Sequence, residues 1–364
     1  MIVWAAIAAG GLAFFLSVLA TPLAGRVAHR FGMIDYPQRH KAHAQPTPLL
    51  GGCAVLAAIL GPSLLVLAVA SDWAANGSPH WLPQSLAMHV PGLASKTLVA
   101  LGILLGAVLL HVVGLVDDRR NLSPWLKLGV QIAVAAATVS VLKIRVLELA
   151  GPAVSMIVST VWLVTVMNAF NFMDNMDGLC AGVAMICAAA LLGGAVSLGQ
   201  LFVAGWLCLL IGSLGGFLVY NFAPAKIFMG DAGSLVVGYL LGVLSCLTSY
   251  VQSGQSELYG VFAPIVLLAV PVYDAASVIL LRLKERRNPM VGDRRHLSHR
   301  LLRRGMKVRS AVGTIYLCTL ATAIGASLLP HADPVGAVLV FCQTLAVLAL
   351  IALLEASGRG GTQQ

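Results

Sequence analysis

The chain has 364 residues, of which 59% are hydrophobic and only 10% charged, and its formal net charge is +9. A soluble domain carries roughly a quarter charged residues, so this composition excludes one and specifies an integral membrane protein. The positive charge lies beside apolar runs, where it marks sidedness and attraction to membrane lipid head groups; it gives no support for nucleic-acid binding.

A transmembrane helix needs roughly 20 mostly apolar residues. Eleven runs qualify, at about 2–20, 50–70, 98–116, 126–142, 153–169, 179–197, 201–220, 233–250, 259–281, 311–329 and 335–354. They are continuously apolar rather than alternating, which selects helices over the strands of a barrel. The expected fold class is therefore an all-α polytopic membrane protein of about eleven transmembrane helices. One integral-membrane domain covers 1–355, and 356–364 is a short polar cytoplasmic tail. The first run has no basic residue ahead of it and no small-residue cleavage site after it, so it reads as a retained helix rather than a signal peptide. The 7 cysteines form no C-x-x-C pair and fall in or beside the runs, which predicts free thiols and neither disulfides nor zinc. Gly212 and Gly216 permit close helix packing and leave a homodimer open.

Lys and Arg concentrate in cytoplasmic loops. All 23 of them except Lys96, Lys143 and Arg145 fall on one set of connections. That places the amino terminus outside and the carboxyl terminus in the cytoplasm, together with the basic stretch 282–309. Asp35, Asp117, Asp118, Asp174, Asp177 and Asp231 map to the same face, at the ends of helices. A cation-coupled transporter would also carry membrane carboxylates, but near the midplane on broken helices.

Carboxylates gathered at the mouth of an apolar bundle repel one another unless a cation lies between them. Mg²⁺, with Mn²⁺ as its substitute, is the hard ion that suits several Asp and no clustered Cys. Lys41, Lys127, Arg294, Arg295, His296, His299 and Arg300 supply positive charge on the same side. A metal with Lys, Arg and His is the equipment of phosphoryl transfer. Gly230 and Gly233 flank Asp231 at a helix start, where small residues admit a ligand and the helix N-terminus attracts an anion; the plainer reading is a cap. Asn168, Asn171 and Asp174 recur every three residues, a spacing that a polar seam on the fifth helix would also produce. Taken alone, the basic 282–309 stretch reads as a topology signal or a lipid-binding interfacial helix.

Five ordered stretches, "DYPQRHKAHAQPTPLLGG", "GLVDDRRNLSPWLKLGVQ", "NAFNFMDNMDGLCAG", "YNFAPAKIFMGDAGSLVVGY" and "DRRHLSHRLLRRG", resemble the motifs of the polyprenyl-phosphate N-acetylhexosamine-1-phosphate transferases of glycosyltransferase family 4. The resemblance covers most of the chain. It implies transfer of a sugar 1-phosphate from a UDP-N-acetylhexosamine to a polyprenyl phosphate, releasing UMP, in the bacterial inner membrane. Such a reaction opens the synthesis of a cell-envelope glycan such as O-antigen. The resemblance further implies catalytic roles for Asp117, Asp118, His296, His299 and Arg300, and a Mg²⁺ ion at Asp231 and Asp118. Lys41, Lys127, Asn171, Asp174, Asp177, Asn221 and Phe228 would contact substrate, Phe228 by stacking on uracil.

A phosphate monoester has a second pKa of about 6 and is largely dianionic at neutral pH. Asp117 is therefore expected to position the lipid phosphate more than deprotonate it, and a covalent aspartyl-phosphate route stays open. The family commonly reads His-Leu-His-His-Arg where this chain has His296-Leu297-Ser298-His299-Arg300. Serine carries no charge and shuttles no proton near neutrality, which leaves a non-catalytic homologue open. The short loop without a run of three histidines points to an N-acetylglucosamine donor rather than a muramyl-pentapeptide.

Overall fold

The structure is a computed structural model that describes residues 2–36, 46–248, 258–286 and 295–356. In chain order its helices are α1 (Ile2–Phe31), α2 (Gly51–Asn76), the short α3 (Gln84–Ala87) and α4 (Val90–Ser95), α5 (Thr97–Arg120), α6 (Pro124–Val141), α7 (Pro152–Met173) and α8 (Leu179–Ser197). There follow α9 (Leu201–Asn221), α10 (Asp231–Leu247), α11 (Ala263–Leu267), α12 (Ala269–Lys284), α13 (Leu297–Arg303), α14 (Val308–Leu328) and α15 (Pro334–Ala356). The chain is an all-α polytopic membrane protein. Among the described residues 9 helices are long and apolar enough to cross a membrane, and the segments Tyr259–Leu267 and Ala269–Lys284, which meet at 62°, make a tenth if they form one span. The remaining apolar run forms α10, which at 17 residues is shorter than the others.

The main departures from expectation are at helix ends. α1 continues to Phe31 and α5 to Arg120, because polar residues beyond an apolar run keep helical backbone once they leave the hydrocarbon. Asp117 and Asp118 consequently stand on the last turn of a rigid helix rather than in a loop.

α10 is the hub of the bundle. Every residue from Ala232 to Ser245 is buried, and α2, α5, α7, α8 and α9 pack around it. Lipid offers no hydrophobic drive for helix association, so this packing relies on close backbone approach and on hydrogen bonds between helices. Tyr239 and Thr138 share one such bond at 2.9 Å, and Trp162 Nε1 donates to Ser245 Oγ at 2.9 Å. At the flank of the bundle, a Cβ on Gly212 would lie 1.9 Å from the Gly10 carbonyl oxygen, and one on Gly216 2.4 Å from that of Phe14. The small-residue pair is therefore spent inside the chain, on α9 against α1.

One short ladder pins the approach to α10. β1 (Ile34–Asp35) pairs antiparallel with β2 (Thr47–Pro48), and the Pro48 carbonyl accepts the Phe228 N–H at 2.8 Å. Gly51 and Gly52 at the start of α2 donate their N–H groups to the carbonyls of Phe228 and Met229, at 2.9 and 3.0 Å.

Candidate active site

Asp118 organises the junction of α5 and α10. The first amides of a helix lack intrahelical partners, and here Asp118 supplies them: its Oδ1 accepts the Asp231 N–H at 2.9 Å and its Oδ2 the Ala232 N–H at 3.2 Å. Two glycines make room for this contact. Gly230 has φ +70°, and a Cβ there would sit 2.6 Å from Asp118 Oδ2; one on Gly114, a turn before Asp118 on α5, would sit 2.4 Å from the Ala232 backbone. The start of α10, which the sequence offered either as a cap or as an anion-receiving helix end, is capped in this structure. A carboxylate of the chain itself already fills that position, leaving Asp118 one lone pair on each oxygen for anything else.

Lys127, from the first turn of α6, stands between the other two carboxylates. Its Nζ donates to Asp117 Oδ2 at 2.7 Å and also forms an ion pair with Asp231. Asp117 Oδ1 accepts the Leu122 N–H at 2.6 Å. Asn171 Nδ2 donates to Asp231 Oδ1 at 2.8 Å and to Ser234 Oγ at 3.0 Å, whereas Asn168 turns to α6 and donates to Gln131 Oε1 at 2.5 Å. The polar seam of α7 is thus divided, and only its lower residue joins the acidic cluster. Asp174, just past α7, feels the same carboxylates. Burial pushes its carboxyl well above the usual range and the charges of Asp231 and Asp118 add to that, against a smaller opposing effect from the Gly230 backbone. The side chains at this junction offer oxygen ligands, the donor type a hard divalent cation takes, while among the described residues no three acidic, histidine or cysteine side chains are grouped to hold one.

Asp177 and Asn221 act as braces in this structure. Asp177 Oδ2 accepts the Ala225 N–H at 2.9 Å. Asn221, only 4% exposed, accepts the Gly178 N–H at 3.0 Å and donates to the Ile227 carbonyl at 2.9 Å. Both ends of its amide are taken by backbone, and it ties the loop before α8 to the loop before α10. The ring of Phe228 is half-buried. Lys41 and Arg294 lie outside the described residues.

The histidine stretch leans on the end of α7. His296 packs edge-to-face on Phe172, ring centroids 5.3 Å apart, and Ser298 Oγ donates to Asn175 Oδ1 at 2.5 Å. His299 is half-buried. Arg300 is held here by partners within the chain. Its guanidinium pairs with Glu355 at 2.9 Å, donates to Ser277 Oγ at 2.6 Å and lies 3.7 Å from Asp274. Two nearby acids have drawn it inward, and it clasps α13 to α12 and α15. Sequence reasoning missed Asp274, Ser277, Asn175 and Glu355. For Asp274 a signal existed: it is an ionisable residue in the apolar run "PVYDAASVILL", and such residues default to function in a membrane.

Residues 100–249 match the model of glycosyl transferase family 4, a span that holds the acidic cluster and Lys127. The chain is also 31% identical, over 88% of its length and 85% of the relative's, to the "Probable undecaprenyl-phosphate N-acetylglucosaminyl 1-phosphate transferase" of Bacillus subtilis. This chain belongs to glycosyl transferase family 4. It is similarly 31% identical to the decaprenyl-phosphate N-acetylglucosaminephosphotransferase of Mycolicibacterium smegmatis, over 96% of this chain and 88% of the relative. Identity to the undecaprenyl-phosphate alpha-N-acetylglucosaminyl 1-phosphate transferase of Escherichia coli K12 is 27%, over 86% and 80%. The family match ends before the histidine stretch, whereas these three likenesses extend over most of the chain.

Proposed function

We propose that this chain transfers N-acetylglucosamine 1-phosphate from its UDP-sugar to a polyprenyl phosphate, releasing UMP, at the cytoplasmic face of a bacterial inner membrane. It thereby begins a cell-envelope glycan. The observation that carries the reading is the meeting of Asp117, Lys127, Asp231 and Asn171 at the ends of α5, α6, α7 and α10, in a family whose relatives bear the names of such transferases.

Each residue has a task in this reading. Asp117 orients the lipid phosphate, which at neutral pH needs little deprotonation. Lys127, already poised between two carboxylates, turns to the phosphates of the incoming donor, where charge-assisted contacts are the strong ones. Asn171 holds Asp231 in place. Asp231, with the remaining lone pairs of Asp118, would hold Mg²⁺, which when bound neutralises phosphate charge and stabilises the leaving group. The concentration of Lys and Arg on this side supports a cytoplasmic site.

The test is transfer by the purified protein from a panel of radiolabelled UDP-sugars to a polyprenyl phosphate. The expected outcome is lipid-linked N-acetylglucosamine with one UMP released per transfer, lost on chelation with EDTA and restored by Mg²⁺ or Mn²⁺. No transfer from any sugar of the panel overturns the reading.

A further inference from the structure

His296 is held at one nitrogen. Its Nδ1 lies 3.0 Å from Asp274 Oδ2, while the other oxygen of Asp274 accepts the Leu297 N–H at 2.6 Å. Asp274 is 1% exposed and His296 6%. The hydrogen bond of His296 within the described residues is made by Nδ1, and Nε2 makes none. The charged and titratable groups around the pair come from several elements. Arg300 on α13 lies 3.7 Å from Asp274, Glu355 on α15 is paired to Arg300, Tyr273 on α12 donates to Glu355 at 3.1 Å, and Arg282 sits over the Phe172 ring.

A buried acid in an apolar helix is costly, and holding the Leu297 N–H alone would need only a neutral acceptor. A carboxylate on one imidazole nitrogen does more: it fixes the tautomer and aims the second nitrogen, and it steadies the ring when that nitrogen takes up a proton.

We propose that Asp274 is a positioning residue for the transfer reaction. It accepts the Nδ1 proton of His296 and turns Nε2 toward the diphosphate of the nucleotide sugar. The inference rests on the transferase reading above. No bond forms or breaks at Asp274 itself.

The experiment is a double-mutant cycle in transfer activity, with thermal melting in detergent as the control for folding. Asp274→Asn keeps the shape of the side chain, but with its carbonyl on the Leu297 N–H it presents its amide nitrogen to His296 Nδ1 and favours the opposite tautomer. It is expected to lower kcat by roughly 10²-fold with the donor KM within about twofold. His296→Ala is expected to lose as much, and adding Asp274→Asn to it to cost nothing further, because Asp274 acts through the imidazole. Independent, multiplying losses would show a merely structural carboxylate and overturn the proposal.

His296→Asn supplies a second route that leaves Asp274 untouched, for the case in which its variants do not fold. The asparagine amide nitrogen can replace Nδ1 and keep the bond to Asp274 but offers no Nε2, so the protein should melt like the wild type and lose activity as His296→Ala does. Wild-type turnover in His296→Asn would sink the proposal. A wild type inactive on every UDP-sugar would overturn the transferase reading and this inference together, whereas an active wild type with additive losses overturns this inference alone.

Discussion

Asp117 and Asp118 are neighbours in sequence with different commitments. Asp118 gives both oxygens to the first amides of α10, and Asp117 gives one to Lys127. Asp118→Asn turns one acceptor into a donor facing an N–H and is expected to cost about 1–3 kcal/mol of stability as well as activity, measured by thermal melting. Asp117→Asn should keep its fold and lose turnover. If Asp117 positions the lipid phosphate, that loss persists at all pH values, whereas a base role predicts recovery above about pH 8, past the phosphate's own pKa; a pH–rate profile of the variant decides. Ser298 stands where the family commonly has histidine. At 1% exposed and hydrogen-bonded to Asn175 at 2.5 Å, it ties the histidine stretch to the loop after α7. Restoring the family residue with Ser298→His must overpack this site and is expected to destabilise by about 1–3 kcal/mol, seen as a lower melting temperature without a gain in kcat.

Helices place the site by coming close. Gly114 lets α5 touch the first turn of α10, so Gly114→Ala drives a methyl to within 2.4 Å of the Ala232 backbone and pushes Asp118 off its amides. The expected result is a lower melting temperature together with a transfer rate reduced at least tenfold, since catalysis of phosphoryl transfer is mostly positioning. Gly129 on α6 has nothing within 4 Å of the same atom, and Gly129→Ala should leave the rate unchanged and stabilise the helix slightly. The two variants assayed side by side separate close packing from helix propensity. Long apolar runs made the helices themselves legible in sequence, and charged residues at their ends made Asp117, Lys127 and Asp231 legible as a group. The pairing within that group was not, because Asp118 and Asp231 are 113 positions apart and a carboxylate on two backbone amides leaves no pattern in the chain. Asn221 illustrates the same limit: its residue type suits a ligand contact or a strut equally, and its two bonds to backbone leave no pattern in the chain. Asp274 was hidden differently, as a single charge inside an apolar run whose length already explained it.

At the scale of the whole molecule, the acids and the basic connections lie on one end of the bundle, while exposed Trp4, Phe15 and Leu19 on α1 and Leu345 and Leu353 on α15 give the outer helices an apolar surface toward lipid. This separation suits an enzyme that takes its donor from water and its acceptor from the membrane, as the proposed transfer requires. The direction of the bundle in the membrane then decides which compartment supplies the donor. Lys and Arg concentrate on the cytoplasmic side of membrane proteins, and by that rule Lys226 is expected in the cytoplasm and the connection between α2 and α3 outside. Cysteine labelling suits this protein, because Cys53, Cys180, Cys187, Cys208, Cys246 and Cys318 are buried or half-buried, and exposed Cys342 lies within the apolar α15, out of reach of a charged reagent. His80 and Lys226 are both exposed. In intact cells a membrane-impermeant maleimide should modify His80→Cys and leave Lys226→Cys unmodified, and in inverted vesicles the pattern should reverse. Modification of Lys226→Cys from outside intact cells would turn the bundle over and leave the acidic cluster facing away from the nucleotide sugars of the cytoplasm.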